Sequence, residues 1–281
     1  MPPQLQDFHR YLQRLGYDAP PAPSLETLRE LQRRHTATFP FETLATFLQA
    51  PVPLDLPSLQ RKILHEGRGG YCYELNGLFL ALLRDLGFQA QGLSARVVMG
   101  GPEDALTPRT HMCLAVALSG TDYLADVGFG GMVPTAPLRL HDEAPQTTPH
   151  ERYRLVRRDG GYALRAQVDG EWRPLYVFDL APAADVDHVV GNWYVSTHPE
   201  SSFRGRLFAA RTGDGIRKTL SDGSFAIHRL GQPSERRELA DAGEVIAVLE
   251  DELGIRTPQG PALREAIERR LLERKADESA P

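Results

Sequence analysis

One helix constrains this chain more than any other feature. Counted from Leu75, the apolar residues Leu75, Leu78, Phe79, Leu82, Leu83 and Leu86 recur at i, i+3, i+4, i+7, i+8 and i+11. That is the stripe of a helix buried along one face, and Gly87 is placed to stop it. The helix starts at or near Cys72, directly after Arg68-Gly69-Gly70-Tyr71. A thiol there meets the positive end of the helix dipole, and first-turn N–H groups that can hold an oxyanion. The two glycines permit positive φ or a close approach to substrate. The same position also suits a small buried apolar residue at a turn, so cysteine and glycines leave both readings open.

The rest of the chain divides around this helix. In residues 1–87, Ser24 caps a helix carrying Leu25, Leu28 and Leu31, and Pro57-Ser58 opens a short one through Ile63 and Leu64. From Phe88 to about Ser196 the pattern becomes short strands, at 93–99, 111–118, 122–127, 153–158, 162–168 and 172–178. SGTD, RDGG and VDGE turns separate them, and the close spacing predicts an antiparallel, barrel-like region. The last part is mixed, with helices at about 243–253 and 261–275 and a frayed tail at 275–281.

A nucleophilic cysteine needs a base, and the base an orienting group. His111 opens the strand at 111–118, and Asp126 lies near the end of the next one. A hairpin that pairs Leu118 with Tyr123 also pairs Ala115 with Asp126. Asp126 then shares the face of His111 but sits four positions away, roughly 13 Å at strand rise. Spacing alone therefore does not join the three residues. Each of His111 and Asp126 also reads as an ordinary strand residue.

Taken together, six segments resemble the arylamine N-acetyltransferases. They are YLQRLG (11–16), HTATFPFETL (35–44), RGGYCYELNG (68–77), RTHMCLAV (109–116), LADVGFGG (124–131) and NWYVSTHPESSF (192–203). The resemblance implies an α+β fold with a cysteine-protease-like core. Its parts are an N-terminal helical bundle (1–87), a central antiparallel β-barrel (88–200) and a C-terminal α/β lid (201–281). It implies Cys72 as nucleophile, His111 as base and Asp126 as orienting group, acting through an acetyl-cysteine in a ping-pong reaction. Acetyl-CoA is then a cosubstrate, with no permanently bound cofactor. The acceptors implied are small aromatic amines or hydrazines.

By the same resemblance Thr110, Gly128, Gly130 and Gly131 contact CoA. On its own the GFGG run reads as a strand-end turn. Phe41, Val97, Phe129 and Phe203 match positions lining the acceptor pocket, where flat apolar walls suit an aromatic ring. Arg14 and Glu42 resemble a supporting ion pair that anchors the first helix, and Arg68 can bond the same region. Thr43 stands where the family usually has Asn. Two readings compete: a papain-like or transglutaminase-like cysteine enzyme that uses no CoA, and a binding module that kept the fold.

Composition narrows the partners. A net charge of −5 gives no footprint for nucleic acid. No apolar run reaches the length of a membrane helix, and the first 17 residues lack an apolar leader core. A cytoplasmic chain with reduced thiols is expected. No metal is expected either: His111 and Cys113 make an H-x-C, but no further cysteine follows and HExxH is absent. Cys113 reads as a buried structural thiol.

Overall fold

The structure is a computed structural model that describes residues 5–279. Its first third is helical: α1 (Phe8–Arg14), α2 (Leu25–Thr38), the short α3 (Leu44–Phe47) and α4 (Leu56–Leu59), and α5 (Cys72–Asp85). Ser24 Oγ accepts from Thr27 N at the start of α2, a cap that contributes about 1 kcal/mol. Asp55 caps α4, which runs on as a π-helical turn over Gln60–His65. The stripe on α5 is buried as its spacing requires: Leu75, Leu78, Phe79, Leu82 and Leu83 have no exposed surface. Burying each of these side chains stabilises the fold by roughly 1.5–3 kcal/mol.

Between α2 and α3, β1 (Phe41–Glu42) leaves the helical part and pairs with β10 (Phe208–Gly213). The middle of the chain supplies β2 (Gln89–Val97), β3 (Arg109–Leu118), β4 (Thr121–Ala125), β5 (Leu138–Arg139), β6 (Gln146–Thr147), β7 (Arg152–Arg158), β8 (Gly161–Val168) and β9 (Glu171–Phe178). They form an eight-stranded, barrel-like antiparallel sheet in the order β5-β4-β3-β2-β9-β8-β7-β6. The second sheet, β1-β10-β11-β12-β13, adds β11 (Ile216–Ser221), β12 (Ser224–Arg229) and β13 (Glu235–Glu238). Helices α7 (Ala242–Ala247) and α8 (Pro261–Ser279) pack on that sheet. The fold is thus a helical bundle, an antiparallel near-barrel and an α/β lid.

Strand β3 joins two cores. Met112, Leu114 and Val116 face the helical core around α5, while Cys113 and Ala115 face the sheet core. His111 shares the parity of Cys113, so its strand aims it toward the barrel side.

Several expectations are corrected. The β3–β4 hairpin turns on two residues, Ser119 (φ 50°) and Gly120 (φ 77°), and pairs Leu118 with Thr121. Positive φ at both positions is the tight turn that matches strand twist, and it shifts the register by two residues from the expected one. A helix, α6 (Asp185–Thr197), interrupts the region read as strands, and its His188, Asn192 and Val195 are buried. The tail at 275–281 is not frayed over 275–279, which continue α8, and its last two residues lie outside the described range.

Candidate active site

Gly69 and Gly70, ahead of Cys72, serve close packing, and neither has positive φ. The segment pairs with β1, with Phe41 opposite Gly70 and Glu42 N donating to Gly70 O at 3.0 Å. A Cβ on Gly69 would sit 1.9 Å from Pro40 O, and one on Gly70 would sit 2.7 Å from Glu74 Oε2. This strand-like approach ends at Tyr71, whose N–H donates to Glu74 Oε2 at 3.1 Å. α5 then begins, with Cys72 as its first residue.

Charge fixes the segment from below. The expected Arg14–Glu42 pair does not form. Arg14 donates to Leu64 O and lies over the Phe39 ring, while Glu42 Oε1 accepts from Arg68 Nε at 3.0 Å and Nη2 at 2.8 Å. Lys62 bridges Glu42 at 3.6 Å and Glu74 at 2.6 Å. Burial alone would raise the Glu42 pKa, but Lys62 and Arg68 hold it below the usual carboxylate value. At Glu74 burial outweighs Lys62 and the pKa is raised. Thr43 serves a different contact: its hydroxyl accepts from Phe208 N at 2.9 Å and faces Arg206 O, fastening β1 to β10.

His111 and Asp126 meet. Extending the β3–β4 register one pair beyond Leu114–Ala125 sets Asp126 opposite Cys113, two positions from His111 instead of four. A bulge in the β2–β3 ladder closes the rest. Ala95 pairs with His111 and Arg96 with Arg109, so Thr110 is the extra residue. His111 Nε2 lies 2.8 Å from Asp126 Oδ2, and Cys72 Sγ lies 3.7 Å from Thr110 O.

The Asp126 carboxylate is fully surrounded by donors. Oδ2 also accepts from Tyr176 OH at 2.9 Å, and Oδ1 accepts from Asn76 Nδ2 at 2.9 Å and Gly128 N at 2.8 Å. Burial lowers the pKa of His111, but the Asp126 charge and hydrogen bond, with the Cys72 side chain beside it, raise it overall to about 10. The imidazolium is therefore the favoured form at neutral pH. Burial pushes the Cys113 thiol well above its ordinary value, so it stays neutral. Among the described residues no cluster of His, Cys, Asp and Glu could hold a metal.

Asn76 and Tyr176 were not anticipated. Asn76 is one helical turn beyond Cys72 and links three elements, bonding Asp126, Met112 O and, through Oδ1, Val127 N. That i+4 spacing was open to a reading of the sequence. Tyr176 lies on β9, far along the chain, and no local pattern marks it.

The remaining expected residues fall into two groups. Phe129 meets the His111 ring edge-on at 4.9 Å, and Tyr176 packs 4.9 Å from it. Val97 pairs with Tyr176 at the end of β2. Phe41 and Phe203 form an edge-to-face pair at 5.9 Å, with Tyr71 and Phe208 against Phe203. Gly130 (φ 67°) joins the groups, since a Cβ there would lie 3.5 Å from the Phe41 ring. Gly128 is packed on Cys72 itself, where a Cβ would meet Cys72 Cα at 2.7 Å. Its N–H is engaged by Asp126 and Gly130 is buried, so of the four expected CoA contacts only Gly131 and Thr110 are half-exposed.

Comparison with known proteins identifies the family. A family model described as N-acetyltransferase matches residues 24–260. The arylamine N-acetyltransferase of Mycolicibacterium smegmatis is 43% identical over 253 residues, 89% of this chain and 92% of that protein. The structure of Mycobacterium marinum arylamine N-acetyltransferase superposes with a TM-score of 0.90 at 42% identity, covering 94% of this chain and 99% of that one. The structure of the same M. marinum enzyme in complex with CoA superposes at 0.89, with 42% identity and the same coverage.

Proposed function

The chain belongs to the arylamine N-acetyltransferase family, and from that premise we propose that it moves an acetyl group from acetyl-CoA to an arylamine or arylhydrazine through an acetyl-cysteine on Cys72. The observation that carries the reading is the buried convergence of Cys72, His111 and Asp126, with the imidazole 2.8 Å from the carboxylate. CoA in the matched M. marinum structure supports the donor.

The steps follow from the groups present. Asp126 holds His111 through Nε2, so the mobile proton is carried on Nδ1. Cys72 and His111 act as a thiolate–imidazolium pair. The Cys72 sulfur attacks the thioester carbonyl, and N–H groups at the start of α5 receive the negative oxygen. The carbon–sulfur bond to CoA breaks, and His111 gives its proton to the departing sulfur. The acceptor amine then attacks the acetyl-cysteine, His111 takes the amine's proton, and the Cys72 sulfur leaves as thiolate. The pair is restored, and atoms and charge balance across the cycle. Asp126 steadies the imidazolium without taking its proton.

Phe129 beside His111 and the Phe41–Phe203 pair supply apolar walls for an aromatic acceptor. In this reading residues 1–87 carry the nucleophile, 88–200 carry the base and its partner, and 201–281 act as the lid. The enzyme works in the cytoplasm. Both thiols are free, and no helix among the described residues is long and apolar enough to cross a membrane.

Two-substrate kinetics test the proposal. The expected result is parallel double-reciprocal lines, with one equivalent of CoA released in a burst before any amine is added. Intersecting lines with no burst would overturn it.

A further inference from the structure

Four arginines close a ring on the face made by α1, the π-helical turn, β10 and the loop before α8. Arg10 Nε and Arg14 Nη1 donate to the same carbonyl, Leu64 O, each at 3.1 Å, so their guanidinium groups are neighbours. The Arg14 guanidinium lies 5.2 Å from the centre of the Phe39 ring. Two residues back, Ala37 O accepts from Arg211 Nε at 2.7 Å. Arg211 Nη1 crowds Gly254, where a Cβ would meet it at 2.6 Å. Two residues on, Arg256 donates its backbone N–H to Gly67 O at 2.9 Å and lays its side chain along Gly67. Gly67 is three residues beyond Leu64, which completes the circuit.

Among the described residues no carboxylate forms an ion pair with the ring. The polar partners of Arg10, Arg14 and Arg211 are backbone carbonyls, and among the described residues none of the four arginines forms an ion pair. Burial and the like charges of Arg10, Arg256 and Arg211 lower the Arg14 pKa, and no carboxylate offsets them. The acids nearby are otherwise occupied. Asp7 holds His65 at 3.0 Å, Glu66 lies 3.8 Å from Arg61, and Glu250 accepts the Thr257 hydroxyl. Glu66 and Glu250 also line, with Arg68, Gly254 and Arg256, a cleft of about 670 Å³ beside the ring. In a chain of net charge −5, four arginines without an ion pair in one place run against the overall balance.

A guanidinium has five N–H donors in a planar fork, and each ring member has used at most two on the protein. The other donors are unused by the protein, with Arg10, Arg14 and Arg256 exposed, and a tetrahedral dianion can accept from several guanidinium groups at once where a monovalent ion cannot. We infer that the Arg10–Arg14–Arg211–Arg256 ring is a binding site for a phosphate dianion, either free or carried on a nucleotide. The inference is independent of the acyl-transfer reading.

Equilibrium dialysis of the full chain at pH 8 tests it, with inorganic phosphate measured against chloride at matched ionic strength. Wild type is expected to bind phosphate saturably. Arg256→Gln, which removes no hydrogen bond of the fold, and Arg10→Gln/Arg256→Gln should each bind at least tenfold more weakly. In chloride alone Arg256→Gln should melt no lower than wild type, because a repulsion has been removed. A parallel arm uses adenosine 3′,5′-bisphosphate. Tighter binding than phosphate, lost in the same variants, assigns the site to a nucleotide phosphate; binding no tighter assigns it to free phosphate. Absence of saturable phosphate binding by wild type, or unchanged affinity in both variants, would overturn the inference.

Discussion

His111 and His35 are the same residue in equally deep burial, 2% and 0% exposed, and both pack against α5. His35 sits among Tyr11, Phe39 and Phe79, and neither of its ring nitrogens has a hydrogen-bond partner. Burial lowers its pKa to about 3. His111 feels the same burial, yet Asp126 and Cys72 carry it to about 10. Burial therefore does not decide what a histidine does here; the charged partner does. The aromatic cage makes a permanently neutral ring, and the carboxylate pocket makes a proton donor at neutral pH.

The comparison breaks most completely at Asp126. Asp126→Asn keeps the shape but removes the charge, so His111 should drift toward the behaviour of His35. A fall in kcat/KM of about 10³–10⁴ is expected, with the folded state retained by circular dichroism. A carboxylate that touches no histidine provides the next test. Glu42→Gln strands Arg68 and Lys62 partly unpaired and should lower stability by about 3 kcal/mol in urea unfolding, while Cys72 still alkylates. Loss of alkylation without loss of stability would move Glu42 into the chemistry.

The two histidines also predict opposite pH dependences of stability. An unfolded histidine titrates near its ordinary value of 6.5. His35 folded resists its proton down to about 3, so stability falls as pH drops from 6.5 toward 3. His111 folded keeps its proton up to about 10, so its contribution is complete below 6.5 and is lost as pH rises through 10. Each limb carries up to about 1.4 kcal/mol per pH unit. His35→Phe should flatten only the acid limb and His111→Phe only the alkaline limb. The smallest effect is expected from Tyr176→Phe, which removes one of the four donors on Asp126 and should reduce kcat/KM roughly tenfold.

Much of this was legible in the residues. The α5 stripe located Cys72 at a helix start, and alternation located the strands that carry His111 and Asp126. What escaped was set by tertiary contact or turn chemistry. Ser119 in the left-handed region made a two-residue turn where a longer one was expected, and the bulge at Thr110 brought His111 to the carboxylate. α6 was missed because Val186, Val189, Val190 and Trp193 are exposed, so its apolar residues do not mark its buried face. The Arg14–Glu42 expectation failed because Arg68, on the neighbouring segment, reaches Glu42 with two donors. The resemblance suggested which residues act; only geometry showed that Asn76, Tyr176 and Gly128 hold Asp126 in place.

The central claim is that the imidazolium-forming pocket, unlike the aromatic cage, serves acyl transfer at Cys72. Intact-protein mass spectrometry after incubation with acetyl-CoA and no amine tests it most directly. One added acetyl group is predicted, mapped to Cys72, absent in Cys72→Ser and removed when an arylamine is added. An unmodified chain, or an acetyl group on any other residue that an arylamine does not remove, would contradict the account.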